Sequence, residues 1–219
     1  GNTITGYKNT SVGAHSMQDI TSGTANTAVG YESGQNITNG QYNISMGNHS
    51  LNALTSGNYN IALGNSALYS NNANYNTALG FNALYSTTAA NNTGLGYKAG
   101  NEITSGTDNV VIGYDASVLT VDANNQIVIG SSATGKGVNT AVIGNSSTTA
   151  LYASEDAGAT LYAAGLNLGG TAVTSTAAEL NIMDGGTSAT STTVVDADRL
   201  ILNDNGTMKQ IAVTDLNTY

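Results

Sequence analysis

Along the first two thirds of the chain, apolar and polar positions repeat one five-residue phrase: Asn, a variable residue, a small residue, an aliphatic residue, Gly. It reads Asn9-Thr-Ser-Val-Gly13, Asn26-Thr-Ala-Val-Gly30, Asn43-Ile-Ser-Met-Gly47, Asn60-Ile-Ala-Leu-Gly64, Asn76-Thr-Ala-Leu-Gly80, Asn92-Thr-Gly-Leu-Gly96 and Asn109-Val-Val-Ile-Gly113. The looser copies Gln126-Ile-Val-Ile-Gly130 and Thr140-Ala-Val-Ile-Gly144 follow. The closing glycines lie 17, 17, 17, 16, 16, 17, 17 and 14 residues apart. A unit this short cannot bury a core of its own, so each is one coil of a stack.

Within a coil, the residues one and three before the glycine share a face, because side chains in a strand alternate with period two. The first set is Val12, Val29, Met46, Leu63, Leu79, Leu95, Ile112, Ile129 and Ile143; the second runs from Thr10 and Thr27 through Ile44 and Ile61 to Ile127 and Ala141. Their apolar weight predicts that the first set forms the solenoid core, with the small residue between turned the other way. Further apolar residues follow four and seven after the glycine, as at Leu51 and Leu54. Gly13, Gly30, Gly47, Gly64, Gly80, Gly96, Gly113, Gly130 and Gly144 read as corners, since glycine reaches positive φ without steric cost. The expected coil is strand, glycine corner, short strand, glycine corner, with neighbouring coils pairing in parallel about 4.8 Å apart. The recurrent Asn fits equally an amide ladder between coils or a residue that merely tolerates the turn.

Composition narrows the class. Of 219 residues only 9 % are charged, and there is no Pro, Cys or Trp. Absent prolines suit a backbone committed to ladders. Without cysteine there is no disulfide and no thiolate metal site. The net charge of −9 with few Lys and Arg makes a poor match for a phosphate backbone, so no nucleic-acid partner is expected. No apolar run approaches the roughly 20 residues of a membrane span, and no membrane insertion is expected. Beginning with Gly1, the chain reads as a piece of a longer protein.

Three regions follow: 1–150, a roll of about nine coils; 151–175, a transition segment without the phase of the repeat; and 176–219, a small module. In the last, Thr176-Ala-Ala-Glu179 has capping-box spacing and Gly185 suits a helix C-terminus, predicting a short helix over 177–184. Arg199–Leu202 and Met208–Val213 flank Asn205-Gly206, a hairpin signal. Because so thin a coil buries little, lateral association into a rotationally closed assembly is expected, with three identical chains the preferred number. The expected fold class is thus all-β, a parallel β-solenoid in an intertwined homotrimer, followed by a short helix and a β-hairpin.

Ala25-Asn-Thr-Ala-Val-Gly30 and Tyr75-Asn-Thr-Ala-Leu-Gly80 resemble the head repeat of trimeric autotransporter adhesins, though the coil here is longer and its Asn shifted. That resemblance implies a left-handed parallel β-roll in trimers. Asn60-Ile-Ala-Leu-Gly-Asn-Ser-Ala-Leu-Tyr-Ser70, repeated at Asn76–Ser86, looks like the shafts of phage tail fibres. Thr174–Gly185 and Asp196–Leu216 are similar to modules that recur in structural proteins of phages infecting marine bacteria. Together these imply a non-enzymatic tail-fibre or virion-appendage segment, extracellular on the virion. Its partners would be further copies of itself, other fibre proteins and a host-surface glycan or protein. The alternative is a bacterial surface adhesin whose roll itself binds host matrix or glycans.

Candidate chemistry is sparse. His15 and His49 share one phase, yet Glu32, Asn82 and Lys98 occupy equivalent phases in other coils, so exposed loop histidines are expected rather than a metal site. Asp196, Asp198 and Asp204 lack the late Glu of a calcium loop. No serine sits in a Gly-x-Ser-x-Gly elbow. No catalytic residue, metal ligand or cofactor is therefore assigned. The aromatics are more regular: Tyr31, Phe81, Tyr97 and Tyr114 follow the repeat glycine, and Tyr42, Tyr59 and Tyr75 precede the repeat Asn. Such rows serve either as an exposed recognition surface or as seams between chains.

Overall fold

The computed structural model of the chain describes residues 5–151 and, beyond them, four short strands: Leu166–Leu168, Thr171–Val173, Arg199–Asp204 and Thr207–Ala212. The chain divides into two compact units, Gly1–Leu151 and Tyr152–Tyr219. The first is an all-β parallel solenoid. Its strands are β1 (Thr10–Val12), β2 (Thr27–Val29), β3 (Ile44–Met46), β4 (Ile61–Leu63), β5 (Thr77–Leu79), β6 (Thr93–Leu95), β7 (Val110–Ile112), β8 (Ile127–Ile129) and β9 (Ala141–Ile143). They form one nine-stranded sheet in chain order. Each rung pairs in parallel with like residues opposite one another, as in Ile44↔Ile61, Ser45↔Ala62 and Met46↔Leu63. In the second unit β10 (Leu166–Leu168) pairs antiparallel with β11 (Thr171–Val173), and β12 (Arg199–Asp204) with β13 (Thr207–Ala212). The helix expected over 177–184 lies outside the described residues.

Which strand face is inside corrects the sequence reading. The middle residues Ala28, Ser45, Ala62, Ala78, Val111 and Val128 are fully buried, and Gly94 is buried among them. Val12, Val29, Met46, Leu79, Leu95 and Ile143 are exposed, while Leu63, Ile112 and Ile129 are half-buried. The expected core residues therefore face out of the single chain. The reason is volume. The residues four and seven after the glycine, among them Leu51, Leu54, Leu68, Leu84 and Ile103, already fill the lumen. Only a small side chain fits beneath the strand. Where the strand residue shrinks to Gly94, Leu84 occupies the space, its Cγ 2.8 Å from where a Cβ would stand. Where it grows to Val111, the facing position is Gly100, whose added Cβ would sit 3.6 Å from the Val111 Cβ. Each exchange keeps the interior filled.

The recurrent Asn forms the amide ladder. Asn43 donates from its backbone N–H and its Nδ2 to Asn26 Oδ1, at 3.0 Å in both cases, and from Nδ2 to Gly57 O at 2.9 Å. Asn60 repeats the set toward Asn43 Oδ1 and Ala73 O. One buried side chain thus joins three successive coils and satisfies backbone groups that the corners leave unpaired. The ladder ends at Gln126, whose backbone N–H still bonds Asn109 Oδ1 at 3.0 Å while its own Nε2 is buried without a partner.

The closing glycines Gly13, Gly30, Gly47, Gly64, Gly80, Gly96, Gly113 and Gly130 hold φ between 126° and 141°, and Gly144 holds 95°. A Cβ at Gly64 would lie 2.5 Å from Gly80 O of the next coil, so both conformation and close stacking exclude a side chain.

Candidate interaction surface

The outward side of β1–β9 is a face, not a cleft. Among its side chains Val12, Val29, Ile44, Met46, Ile61, Leu79, Leu95, Ile127 and Ile143 are between 36 % and 57 % exposed. The remaining outward positions are Thr10, Thr27, Leu63, Thr77, Thr93, Val110, Ile112, Ile129 and Ala141, so no charged residue interrupts the face. These nine exposed aliphatics alone present on the order of 700 Å², above the roughly 300–600 Å² of the largest apolar patch on a typical monomer.

Two rows of side chains border this face. The leading row stands two residues before each strand: Lys8, Ala25, Tyr42, Tyr59, Tyr75, Asn91, Asp108, Asn125 and Asn139. The trailing row follows each corner glycine: Ala14, Tyr31, Asn48, Asn65, Phe81, Tyr97, Tyr114, Ser131 and Asn145. The seven rings of the two rows are 40–59 % exposed. In the leading row Tyr42, Tyr59 and Tyr75 stack with centroids 5.1 and 5.3 Å apart and planes within 4°. In the trailing row Phe81, Tyr97 and Tyr114 stack at 5.4 and 5.1 Å with planes 10° apart. Stacking along the row covers ring faces and leaves ring edges outward, so a sugar ring lying flat on them would find a face only at the ends. Where the rings stop, the leading row continues in hydrogen bonds: Asn91 Nδ2 donates to Asp108 Oδ1 at 2.9 Å, and Asn125 Nδ2 to Asn139 Oδ1 at 2.8 Å. Thr107 and Asn91 together hold the Asp108 carboxyl below its usual 3.8 by hydrogen bonding to the charged form.

The histidines join an aromatic cluster that spans the three successive levels of β1, β2 and β3. His15 and His49 each meet Tyr31 edge to face, at 5.8 and 5.4 Å. His49 Nδ1 lies 2.9 Å from Glu32 Oε2, and His15 Nδ1 lies 2.6 Å from Gln18 Oε1. The neighbouring Glu32 carboxylate holds the Tyr31 phenol above its usual 10.0, through a hydrogen bond first and charge repulsion second. Among the described residues no group of three or more His, Cys, Asp or Glu is placed to hold a metal ion. A shallow hollow beside β9, lined by Ser132, Lys136, Ile143 and Asn145 among others, brings together no paired titratable groups. Asp196 and Asp198 lie outside the described residues, and Asp204 ends strand β12 opposite Thr207. Sequence reasoning missed the exposed strand face, and one signal marked it: the middle strand position never carries a large or charged residue.

No protein-family model matches the chain, and neither a curated protein nor a solved structure matches it.

Proposed function

We propose that this chain is a shaft segment of a phage tail fibre or related virion appendage, a rigid non-enzymatic rod. Three parallel copies, each a left-handed roll, hold recognition modules away from the particle. The observation that supports it is the outward strand face. The interior of the coil is complete without those aliphatics, so water-exposed Val, Leu, Ile and Met at level after level answer to another surface. A further copy of the chain offers that surface at the same spacing. The area available from each chain suits a stable interface of roughly 800 Å² per partner. Handedness and the virion setting come from the sequence resemblances, and the trimer from the rotational closure such a face favours.

Light scattering and small-angle X-ray scattering on the 219-residue chain test the reading. A mass of three chains with an elongated profile is expected, and Leu79→Asp, on the outward face, should dissociate it while leaving the strand spectrum unchanged. Compact monomers at micromolar concentration would refute it. An adhesin head would share the trimer but bind a host glycan or matrix protein through the roll alone.

A further inference from the structure

Two adjacent coils, residues 65–80 and 81–96, hold 16 residues where the coils on either side hold 17. The missing residue falls between the lumen position seven after the glycine and the corner that follows it. In longer coils that position carries Ile37, Leu54 or Ile103; in the short ones it carries Asn71 or Thr87, equally buried. The change alters what the corner can reach. Thr38, Asn39 and Gly40 all donate from N–H to Thr55 O of the next coil, at 3.0–3.2 Å. Thr55 and Ser56 donate likewise to Asn72 Oδ1 at 2.9 and 3.1 Å, and Thr88 to Thr104 O at 2.9 Å. From Asn72 and Ala73 no such bond crosses to the coil of residues 81–96.

Further ties fail at the same interface. Thr38 Oγ1 donates to Thr55 O and Thr88 Oγ1 to Thr104 O, each at 3.1 Å, but Asn72 has no hydroxyl to do so. Gln41 N–H reaches Asn58 Oδ1 at 2.8 Å and Asn58 N–H reaches Asn74 Oδ1 at 2.7 Å. That row stops at Ala90, which carries no side-chain oxygen. The amide ladder loses a link as well: Asn92 Nδ2 turns to Ala90 O of its own coil at 3.1 Å instead of Asn76 Oδ1. Thr87 Oγ1 is buried there without a partner. Asn71 draws the remaining groups inward, its Oδ1 accepting from Ala73 N–H at 3.0 Å and Asn76 Nδ2 at 3.1 Å within one coil. The preceding interface lacks the same amide link, but the side chains of Asn72 and Asn74 bridge it.

The other sides of this interface stay tied. β5 and β6 pair Thr77↔Thr93 and Leu79↔Leu95. Leu68 N–H donates to Ala83 O at 3.0 Å and Ser70 N–H to Tyr85 O at 3.1 Å, while Tyr69 stacks on Tyr85 with centroids 5.1 Å apart. The loss is confined to one corner of one interface. In a repeat stack each coil contacts only its neighbours, so opening concentrates at the weakest interface. We propose that this interface is a hinge built into the stack. It opens at the corner of Asn72 and Thr88, and the coils on either side tilt about the strand ladder and ring stack that remain. The hinge belongs to a single chain and does not rest on how copies assemble. A shaft that contains it bends at one fixed level instead of evenly along its length.

Amides that bond across the interface report its opening. Thr77 N–H donates to Asn92 O at 2.8 Å and Asn91 N–H to Asn74 O at 3.2 Å. Two interfaces earlier, Ile44 N–H donates to Asn60 O at 2.8 Å and Tyr59 N–H to Gln41 O at 3.0 Å. In the full chain Thr77 and Asn91 should exchange roughly tenfold faster than Ile44 and Tyr59, as the missing bonds imply. Ala90→Asn offers the Asn74 N–H an acceptor and should slow Thr77 and Asn91 roughly fivefold while leaving Ile44 unchanged. Thr87→Val, which removes the buried orphan hydroxyl, is the second variant and should slow the same two amides. Tilting is read by spin labels, since the chain has no cysteine of its own. Ser56→Cys with Ala89→Cys spans two levels across the hinge, and Ser22→Cys with Ser56→Cys spans two levels away from it. With labelled chains diluted in unlabelled ones, pulsed electron paramagnetic resonance should give the first pair the broader distance distribution, and Ala90→Asn should narrow it. Equal exchange at the two interfaces, or equal widths for the two pairs, overturns the hinge. Exchange unaltered in both variants overturns its assignment to this corner.

Discussion

Removing one amide from the ladder tests the interior account most sharply. Asn60 is fully buried. Its Oδ1 accepts from the Asn76 backbone N–H at 3.0 Å, and its Nδ2 donates to Asn43 Oδ1 at 3.0 Å and Ala73 O at 2.8 Å. Asn60→Ala leaves Asn43 Oδ1 still bonded by the residue 60 backbone N–H, 2.9 Å away. The Asn76 N–H loses its only side-chain acceptor, and Ala73 O loses its short donor. The Asn76 N–H becomes a buried orphan at about 1–3 kcal/mol, while half-buried Ala73 O keeps Asn71 Nδ2 at 3.4 Å, so the substitution should cost about 2 kcal/mol. Repeat arrays often unfold in more than one step. Amide exchange around Asn76 and Thr77 should therefore be read beside urea unfolding, and it should accelerate there first. Asn65→Ala, an exposed asparagine on the following corner, is the control and should stay within about 0.5 kcal/mol. Asn60→Asp keeps the shape but points carboxylate oxygens at two acceptors. That raises its folded pKa above the unfolded value near 3.9, so the variant is least unstable in acid and loses stability as pH climbs through the folded pKa. If Asn60→Ala proved as mild as Asn65→Ala, the ladder would be geometry without energetic weight.

Two further outcomes follow from the corners and the leading row. Gly64→Ala should destabilise by about 3 kcal/mol or more, because φ is 137° and the new Cβ would meet Gly80 O at 2.5 Å; a melting shift within error would sink the close-stacking argument. Asp108 should titrate below 3.8 by NMR, its hydrogen bonds from Thr107 and Asn91 favouring the charged form. A depressed folded pKa means the contribution is present above 3.8 and lost as pH falls through the lower folded value. Asn91→Ala should move that midpoint back upward, and an unmoved midpoint would remove Asn91 as a cause.

One strand of each coil was legible residue by residue, since glycine spacing marks its corner and period-two alternation marks its faces. The second short strand expected after the glycine is a run of turns instead, because residues two and four after it, such as His49 and Leu51, hold positive φ. Which face pointed inward was not legible from hydrophobicity alone. Alternation separates Met46 from Ser45 but does not say which one the lumen can hold. The answer lay in the other side of the coil, where Leu51 and Leu54 exhaust the interior volume and leave room only for Ala, Ser, Gly or Val beneath the strand. The exchange of Gly94 and Val111 against Leu84 and Gly100 was visible in the sequence, but only as a volume argument across two coils. Both readings of the repeated Asn were open because turn preference and amide bonding select the same residue. Burial of Asn26, Asn43, Asn60, Asn76, Asn92 and Asn109 decides for the ladder. The bordering rows were legible as aromatic columns, Tyr42, Tyr59 and Tyr75 in one and Phe81, Tyr97 and Tyr114 in the other.

Parallel pairing in chain order also sets how the coils respond to force. Their backbone bonds point along the stacking direction, and the chain enters the stack at the first coil and leaves at the last. Tension on those two points would peel one rung at a time, loading a few bonds instead of sharing the strain among all of them. Each released coil would add roughly 50 Å of slack chain.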